Sequence, residues 1–319
     1  MIEVIHPGIL SIVVDGGRNG YADYGVPSSS AIDLSALKIL NTILKNPTFA
    51  PAIEVIGSGF SLLFHAHMTC AITGAKVETV HNGESFNTWT SFEVRRGDTL
   101  KIKNIIEGFR YYVGFSGIMD IEKTINSFST NLECGFGGFK GRPLKKGDII
   151  GIINPRIETS KTIPEDIIPN MKPPHMIHFV KGPEYTYFVP KILKSLFEKN
   201  TLSCYKGSPK TNRTGIRLEG IPLLFKKGIE KSIISEGVLP GTIQIPGDGM
   251  PIIMLNERTI GGYARVGVVT RADRDLLAHL KPGDEVQLRL VNKNEAKRLS
   301  KRKNEIYWAY TKTMKEVSK

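Results

Sequence analysis

Along this chain apolar residues alternate with polar ones far more often than they recur at helical spacing. AIEVI (52–56), FSLLFHA (60–66), TCAIT (69–73), TLKIKNI (99–105), FRYYVGF (109–115), IQIP (243–246), PIIML (251–255), VGVVT (266–270) and EVQLRLV (285–291) are short runs rich in β-branched and aromatic residues, the mark of strands. Only a few segments carry a helical stripe. Leu34, Leu37, Leu40, Ile43 and Leu44 predict a helix from about Asp33 to Lys45, capped by Asp33 and stopped at Asn46-Pro47. A second is expected over Tyr187 to Lys199 and a third over Arg271 to His279. The pattern is that of a mainly β protein.

One turn module recurs: RRGDTLKI at 95, KKGDIIGI at 145 and KPGDEVQL at 281. Each sets Gly-Asp before an alternating apolar run, where glycine takes a positive φ and aspartate bonds nearby backbone amides. Its recurrence points to two related β modules. Between Ile153 and Met176 the chain turns proline-rich and aperiodic. We therefore expect a first β-barrel-like domain at 1–155, a linker at 156–174, a second barrel at 175–291 and a basic helical tail at 292–319.

Composition changes this picture little. The 319 residues, 40% hydrophobic and 23% charged, fall in the soluble globular range, and no apolar run approaches the roughly 20 residues that span a bilayer. No secretory signal pattern opens the chain, so a cytoplasmic location and no membrane association are expected. Cys70, Cys134 and Cys204 lack CxxC spacing and read as free thiols. The net charge of +12 invites a nucleic-acid reading, yet 292–319 holds nine Lys/Arg against three Glu, a net +6, so half of the excess lies in the tail. That tail reads as a solvated helix with Leu299, Ile306, Tyr307, Tyr310 and Met314 available to dock it, and no nucleic-acid partner is expected.

Candidate chemistry is scattered. DGGRNGYADYGVPSSSAIDLSAL (15–37) has the glycines and serines of a phosphate loop but neither GxxxxGK[ST] nor GxSxG order. Ser30-x-x-Asp33 fits the first turn of a helix, and Arg18 could hold a carboxylate or phosphate. His65 and His67 alternate on an expected strand but lack a nearby third ligand, so no metal site is expected. CGFGGFKGRPLKKGD (134–148) could cradle an anion with Lys140 and Arg142, or simply turn tightly. A denser set follows: Arg213, Arg217 and Glu219 in SPKTNRTGIRLEG, then Ser235, Glu236, Gln244 and Asp248 in SEGVLPGTIQIPGDGMPIIML, then Tyr263 and Arg265 in ERTIGGYARVG. Polar residues alternating on barrel strands can line a pocket at the barrel mouth.

These blocks, with AIEVIGSGFSLLF, AITGA and LKPGDEV, carry a resemblance to the family variously called allophanate hydrolase subunit 2, KipA, the biotin-dependent carboxyltransferase family and the C subunit of 5-oxoprolinase. They occur in the family's order over nearly the whole chain, except the basic tail; Met250 stands where the family often has glutamine. The resemblance implies two tandem cyclophilin-like β-barrel domains with a few short helices. It implies the C subunit of an ATP-dependent 5-oxoprolinase that opens 5-oxoproline to L-glutamate, with ATP as co-substrate accompanied by magnesium. The partners it implies are a KipI-like companion, the complex's B subunit, and a hydrolase, its A subunit. The alternatives it carries are a carboxyltransferase acting on urea or a related amide, with biotin supplied by another chain, and a non-catalytic KipA-like regulator. Matched residue by residue, it makes Arg213, Arg217, Glu236 and Asp248 candidate catalytic groups. Arg18, Ser29, Arg142, Ser235, Gln244 and Tyr263 become candidate substrate-binding groups.

Overall fold

A computed structural model describes residues 1–197 and 205–317. Cys204 and the end of the expected second helix at Lys199 lie outside the described residues, as do the side chains of Tyr310 and Met314. The chain divides into two compact units: Met1–Asn19, Ser28–Met171 and the stretch from Ile306 onward form one, Gly20–Pro27 and Lys172–Glu305 the other.

The first unit contains β1 (Ile2–His6), β2 (Leu10–Val14), helix α1 (Leu34–Ile43), β3 (Ala52–Ile56), β4 (Ser61–Phe64), β5 (Met68–His81), β6 (Glu84–Phe86), β7 (Ser91–Val94), β8 (Thr99–Phe115), β9 (Ile118–Asp120) and β10 (Ile149–Ile153). Its strands run in the order β2-β3-β8-β4-β1-β10-β9, and β5 pairs with β6, β7 and β8 in a half-barrel sheet. Alternation places the core. Val13, Ile53 and Val55 enter one cluster with Phe60, Leu62 and Phe64, while their neighbours Ile12, Val14 and Ala52 face Leu37, Leu40 and Ile43 of α1. Asp33 caps α1 by accepting from the Ala36 amide at 2.8 Å. The Ser30 hydroxyl donates to the Ala31 carbonyl at 3.1 Å. Of the residues expected to form a linker, Ile163 is buried against the α1 cluster and the Met171 amide donates to buried Glu107.

TLKIKNI and FRYYVGF prove to be one 17-residue strand, β8. Gly108 takes φ +85° and the ladder with β5 shifts register between Gly74 and Thr79, so the strand bends without ending. His65 and His67 lie in the turn between β4 and β5, not on a strand, and pair with Glu3 at 2.9 Å and Glu93 at 2.6 Å.

In the second unit, β11 (His175–Lys181), α2 (Pro190–Phe197), β12 (Tyr205–Gly207), β13 (Gly215–Glu219), β14 (Ser232–Gly237), β15 (Thr242–Ile245), β16 (Ile252–Met254), β17 (Ile260–Val269) and β18 (Glu285–Leu290) precede α3 (Lys293–Val317). Strands β11-β18-β12-β13-β16-β15-β17 form a ring closed by a β17–β11 pairing. β11 and β18 run parallel, and β14 pairs with β17 outside the ring. α2 buries Leu193, Leu196 and Phe197, with the Phe197 ring edge-on to Phe179 at 4.9 Å. The third expected helix is only a 3-10 segment, Asp275–His279, stopped where Leu280 is extended and Pro282 follows two residues later. A half-barrel sheet and a closed barrel agree with the mainly β, two-module class that the sequence indicates.

The Gly-Asp module forms one turn three times. Gly97, Gly147 and Gly283 have φ of +93°, +84° and +86°. Asp98, Asp148 and Asp284 each accept from the amide three residues earlier, at 2.8, 2.7 and 3.2 Å. Each carboxylate also takes one long-range or basic partner: His81, Arg142 and His175 respectively.

Candidate functional site

In the second unit the first half of β17 gathers the largest share of the candidates. Gly261 pairs with Glu236 of β14, and a Cβ on Gly261 would meet the Gln244 Nε2 at 2.3 Å, so the bare glycine leaves room for the buried Gln244 amide close to this backbone. Gln244 donates to the Tyr263 carbonyl at 3.4 Å. A Cβ on Gly262 would stand 3.2 Å from the Ser235 hydroxyl. Ser235, Glu236, Gln244 and Tyr263 are thus brought together, with Ser235, Glu236 and Tyr263 exposed.

Their organiser is Arg265. Its Nε and Nη2 donate to the two oxygens of Glu184 at 2.8 and 2.7 Å, its backbone amide donates to Glu184 at 2.9 Å, and Nη2 also reaches the Glu236 carboxylate at 2.7 Å. Glu184 and Arg265 are nearly buried, whereas the Glu236 side chain is 58% exposed. The guanidinium beside Glu184 holds that carboxyl below the usual glutamate range, and Glu184 in turn raises the Arg265 pKa. A buried acid fixes a guanidinium, and the guanidinium fixes an exposed acid. Arg265 is among the candidates that the sequence offers; Glu184 is not, and its signal is the close approach of Gly182, where a Cβ would meet the Arg265 carbonyl at 2.4 Å, legible only once β11 and β17 are neighbours.

The other candidates have different surroundings. Arg213 is buried with its Nε 3.0 Å from Glu257, also buried. Arg217 lies exposed on β13, its amide donating to the Thr211 hydroxyl. Asp248 is exposed and accepts from the Met250 amide at 3.0 Å, a turn contact.

In the first unit, Asp15 accepts from the hydroxyls of Ser127 and Ser129 at 2.6 and 2.7 Å and from the amides of Phe128 and Gly17, each at 2.7 Å. Arg18, 2% exposed, donates to the carbonyls of Ser129 at 2.6 Å and Thr124 at 3.1 Å and lies over the Phe136 ring. Ser29 is buried at φ +49° and its hydroxyl accepts from Asn131 at 2.9 Å. Arg142 forms a bidentate pair with Asp148 at 2.7 and 2.8 Å, which holds the Asp148 carboxyl down. Among the described residues no group of three or more His, Cys, Asp or Glu is placed to hold a metal ion, and no helix is long and apolar enough to cross a membrane.

The family model for the carboxyltransferase domain, subdomain A and B, matches residues 24–290. The chain belongs to this family. It is 30% identical over 297 residues to the C subunit of the Escherichia coli 5-oxoprolinase, covering 93% of both chains. It is 31% identical over 305 residues to the urea amidolyase of Saccharomyces cerevisiae, covering 90% of this chain and 16% of that protein. The crystal structure of the Kluyveromyces lactis urea amidolyase superposes with a TM-score of 0.87 at 26% identity, over 97% of this chain and 20% of that one. Family members thus occur both as subunits of about this length and as a small part of much longer enzymes.

Proposed function

We infer that the chain is the C subunit of an ATP-dependent 5-oxoprolinase, working with companion subunits to open 5-oxoproline to L-glutamate. The observation that carries this reading is the match to the C subunit of a 5-oxoprolinase over 93% of both chains. On this reading the Arg265-held Glu236 accepts the lactam N–H, Ser235 and Tyr263 offer hydroxyls from the same ribbon, and Arg217, three strands away on β13, is not part of that group. Glu184 and Arg265 are positioning residues. Arg213 holds Glu257 just ahead of β13, and Asp248 bonds within the turn between β15 and β16, so neither is given a chemical role.

Among the described residues, the candidates for holding an anion do not fit a nucleotide. Arg142 is bound on both nitrogens by Asp148, Arg18 donates to two backbone carbonyls, and the 135–148 glycine segment lacks a phosphate-loop order. The nucleotide is therefore assigned to a companion protein. The test mixes this chain with its companions and follows glutamate released from 5-oxoproline and ATP. Turnover is expected, and Glu236→Gln should lower it by about 100-fold. No turnover in a complete, folded complex overturns the reading. A second reading, carboxyl transfer to urea or a related amide from carboxybiotin on another chain, is favoured by the likeness to urea amidolyase over 97% of this chain. Carboxybiotin-dependent carboxylation of urea by the same mixture would select it.

A further inference from the structure

One face of the second barrel carries polar side chains that the Arg265 group does not use. Along β11, His175, Ile177 and Phe179 are buried, and Met176, His178 and Val180 alternate with them on the outer face. His178 stands in register with Arg289 of the parallel strand β18, so the two side chains leave the same face of strands about 4.8 Å apart. On the other side of β11 the Thr270 amide donates to the His178 carbonyl at 2.8 Å, one residue beyond the Phe179–Val269 pair. Arg289, His178 and Thr270 thus form a row across β18, β11 and the end of β17.

This row is oriented but not satisfied. Asp273, in the turn after β17, accepts from the His178 amide at 2.6 Å and from its Nδ1 at 2.7 Å. A carboxylate only accepts, so Nδ1 carries a proton and Nε2 is the nitrogen left to meet a ligand. The His178 side chain keeps 17% of its surface open. Among the described residues Nε2 has no partner, and Arg289, half-buried with its Nε covered, makes no ion pair or hydrogen bond. The covered hydroxyl of Thr270 has no partner among them either. The acids of the turn are already engaged, Asp273 by His178 and Asp275 by Lys303 of α3 at 2.6 Å. Arg271, Arg274 and Lys303 outnumber these two acids, so the turn adds to the positive charge of Arg289. A guanidinium directly across from an imidazole costs stability once the ring is charged, unless an anion lies between them.

We propose that Arg289 and His178 bind an oxyanion, the carboxylate or phosphate group of a small molecule, on the outer face of the second barrel. The guanidinium fork donates to two of its oxygens, and His178 takes up a proton from solvent and donates its Nε2–H to the same group. Asp273 is a positioning residue: it fixes the ring through Nδ1 and stabilises the imidazolium that forms. The anion neutralises the two cations facing each other across the strands. None of these residues belongs to the Arg265 group, so the inference does not depend on the reaction assigned to Glu236.

NMR of the histidine rings in the full chain, titrated separately with inorganic phosphate and with acetate, tests this. A saturable shift of the His178 Nε2 signal is expected with at least one of them, with Kd on the order of 1 mM. The anion that binds more tightly names the ligand class, phosphate-bearing or carboxylate. Arg289→Met and His178→Gln should each weaken binding about tenfold or more by calorimetric titration. Arg289→Lys keeps the charge without the fork and should fall between Arg289→Met and the unaltered chain. Circular dichroism establishes that the variants are folded; if His178→Gln is not, the two Arg289 variants and the His178 signal of the unaltered chain decide the matter. No saturable shift with either anion overturns the proposal. Binding that Arg289→Met leaves unchanged overturns it too and places the anion on other cations, such as the exposed lysines of α3.

Discussion

Arg18, in the first unit, and Arg265, in the other, resemble each other in sequence, each an arginine in a glycine-rich stretch, and they are used in opposite ways. Arg18 spends its hydrogen bonds on the carbonyls of Thr124 and Ser129, while neighbouring Asp15 gathers two hydroxyls and two amides. Together they clasp residues 15–18 to 124–137. Arg265 is held by a buried carboxylate and reaches outward to an exposed one. A charge whose partners are backbone atoms stabilises a chain path; a charge whose outer partner is a side chain open to solvent can act on something else.

The sharpest way to break this contrast is Asp15→Ala. Leaving two hydroxyls and two amides of a buried cluster without their acceptor should cost about 4 kcal/mol in denaturant unfolding, with activity retained wherever the protein stays folded. A stable but inactive variant would make the clasp a site. Arg213→Met tests a buried pair in the second unit: stranding Glu257 should cost about 3 kcal/mol, and the double variant Arg213→Met/Glu257→Leu should recover much of it. Arg265→Lys should do the reverse of Asp15→Ala. It keeps the charge but loses the bidentate fork, so kcat should fall about 100-fold in the oxoprolinase assay while stability changes by only about 1 kcal/mol.

Acid sensitivity sharpens the other half of the comparison. The Glu184 carboxyl is depressed in the folded state below its ordinary value of 4.5, so its contribution is fully present above that pH and is lost as pH falls through the lower folded value. Unfolding free energy should therefore drop as pH falls below about 4.5, and the drop should be shallower in Glu184→Gln, as read from denaturation curves at a series of pH values. The smallest effect is expected for Arg142→Ala. That pair with Asp148 lies at the surface of a turn, and its loss should cost about 1 kcal/mol or less by thermal unfolding.

Local chemistry was the part most legible beforehand. AIEVI is β3 to the residue, Asp33 caps α1, and all three Gly-Asp turns form with the expected positive φ and carboxylate–amide bond. Each depends on residues within a few positions of one another. Less legible was the fate of polar residues inside those patterns. Glu54 in AIEVI is buried on the α1 side, where it accepts from Tyr112 at 3.0 Å and from the Ile32 amide, partners 58 and 22 residues away. The same holds for the site. Gln244 and Tyr263 could be nominated from their spacing, but Arg142 went to its own turn, and Glu184 entered through a contact with Arg265 81 residues distant.

By itself, then, the order of residues determined the strand periodicity, the helix cap, the recurring turns and the family, because all of these are written in neighbours or in motifs kept in line. Tertiary structure alone decided which arginine is a clasp and which an organiser, and which strand is left outside the closed barrel. Those outcomes hang on pairings between segments tens of residues apart. A carboxylate's role is set by what closure of the sheet puts beside it and by how much water it keeps.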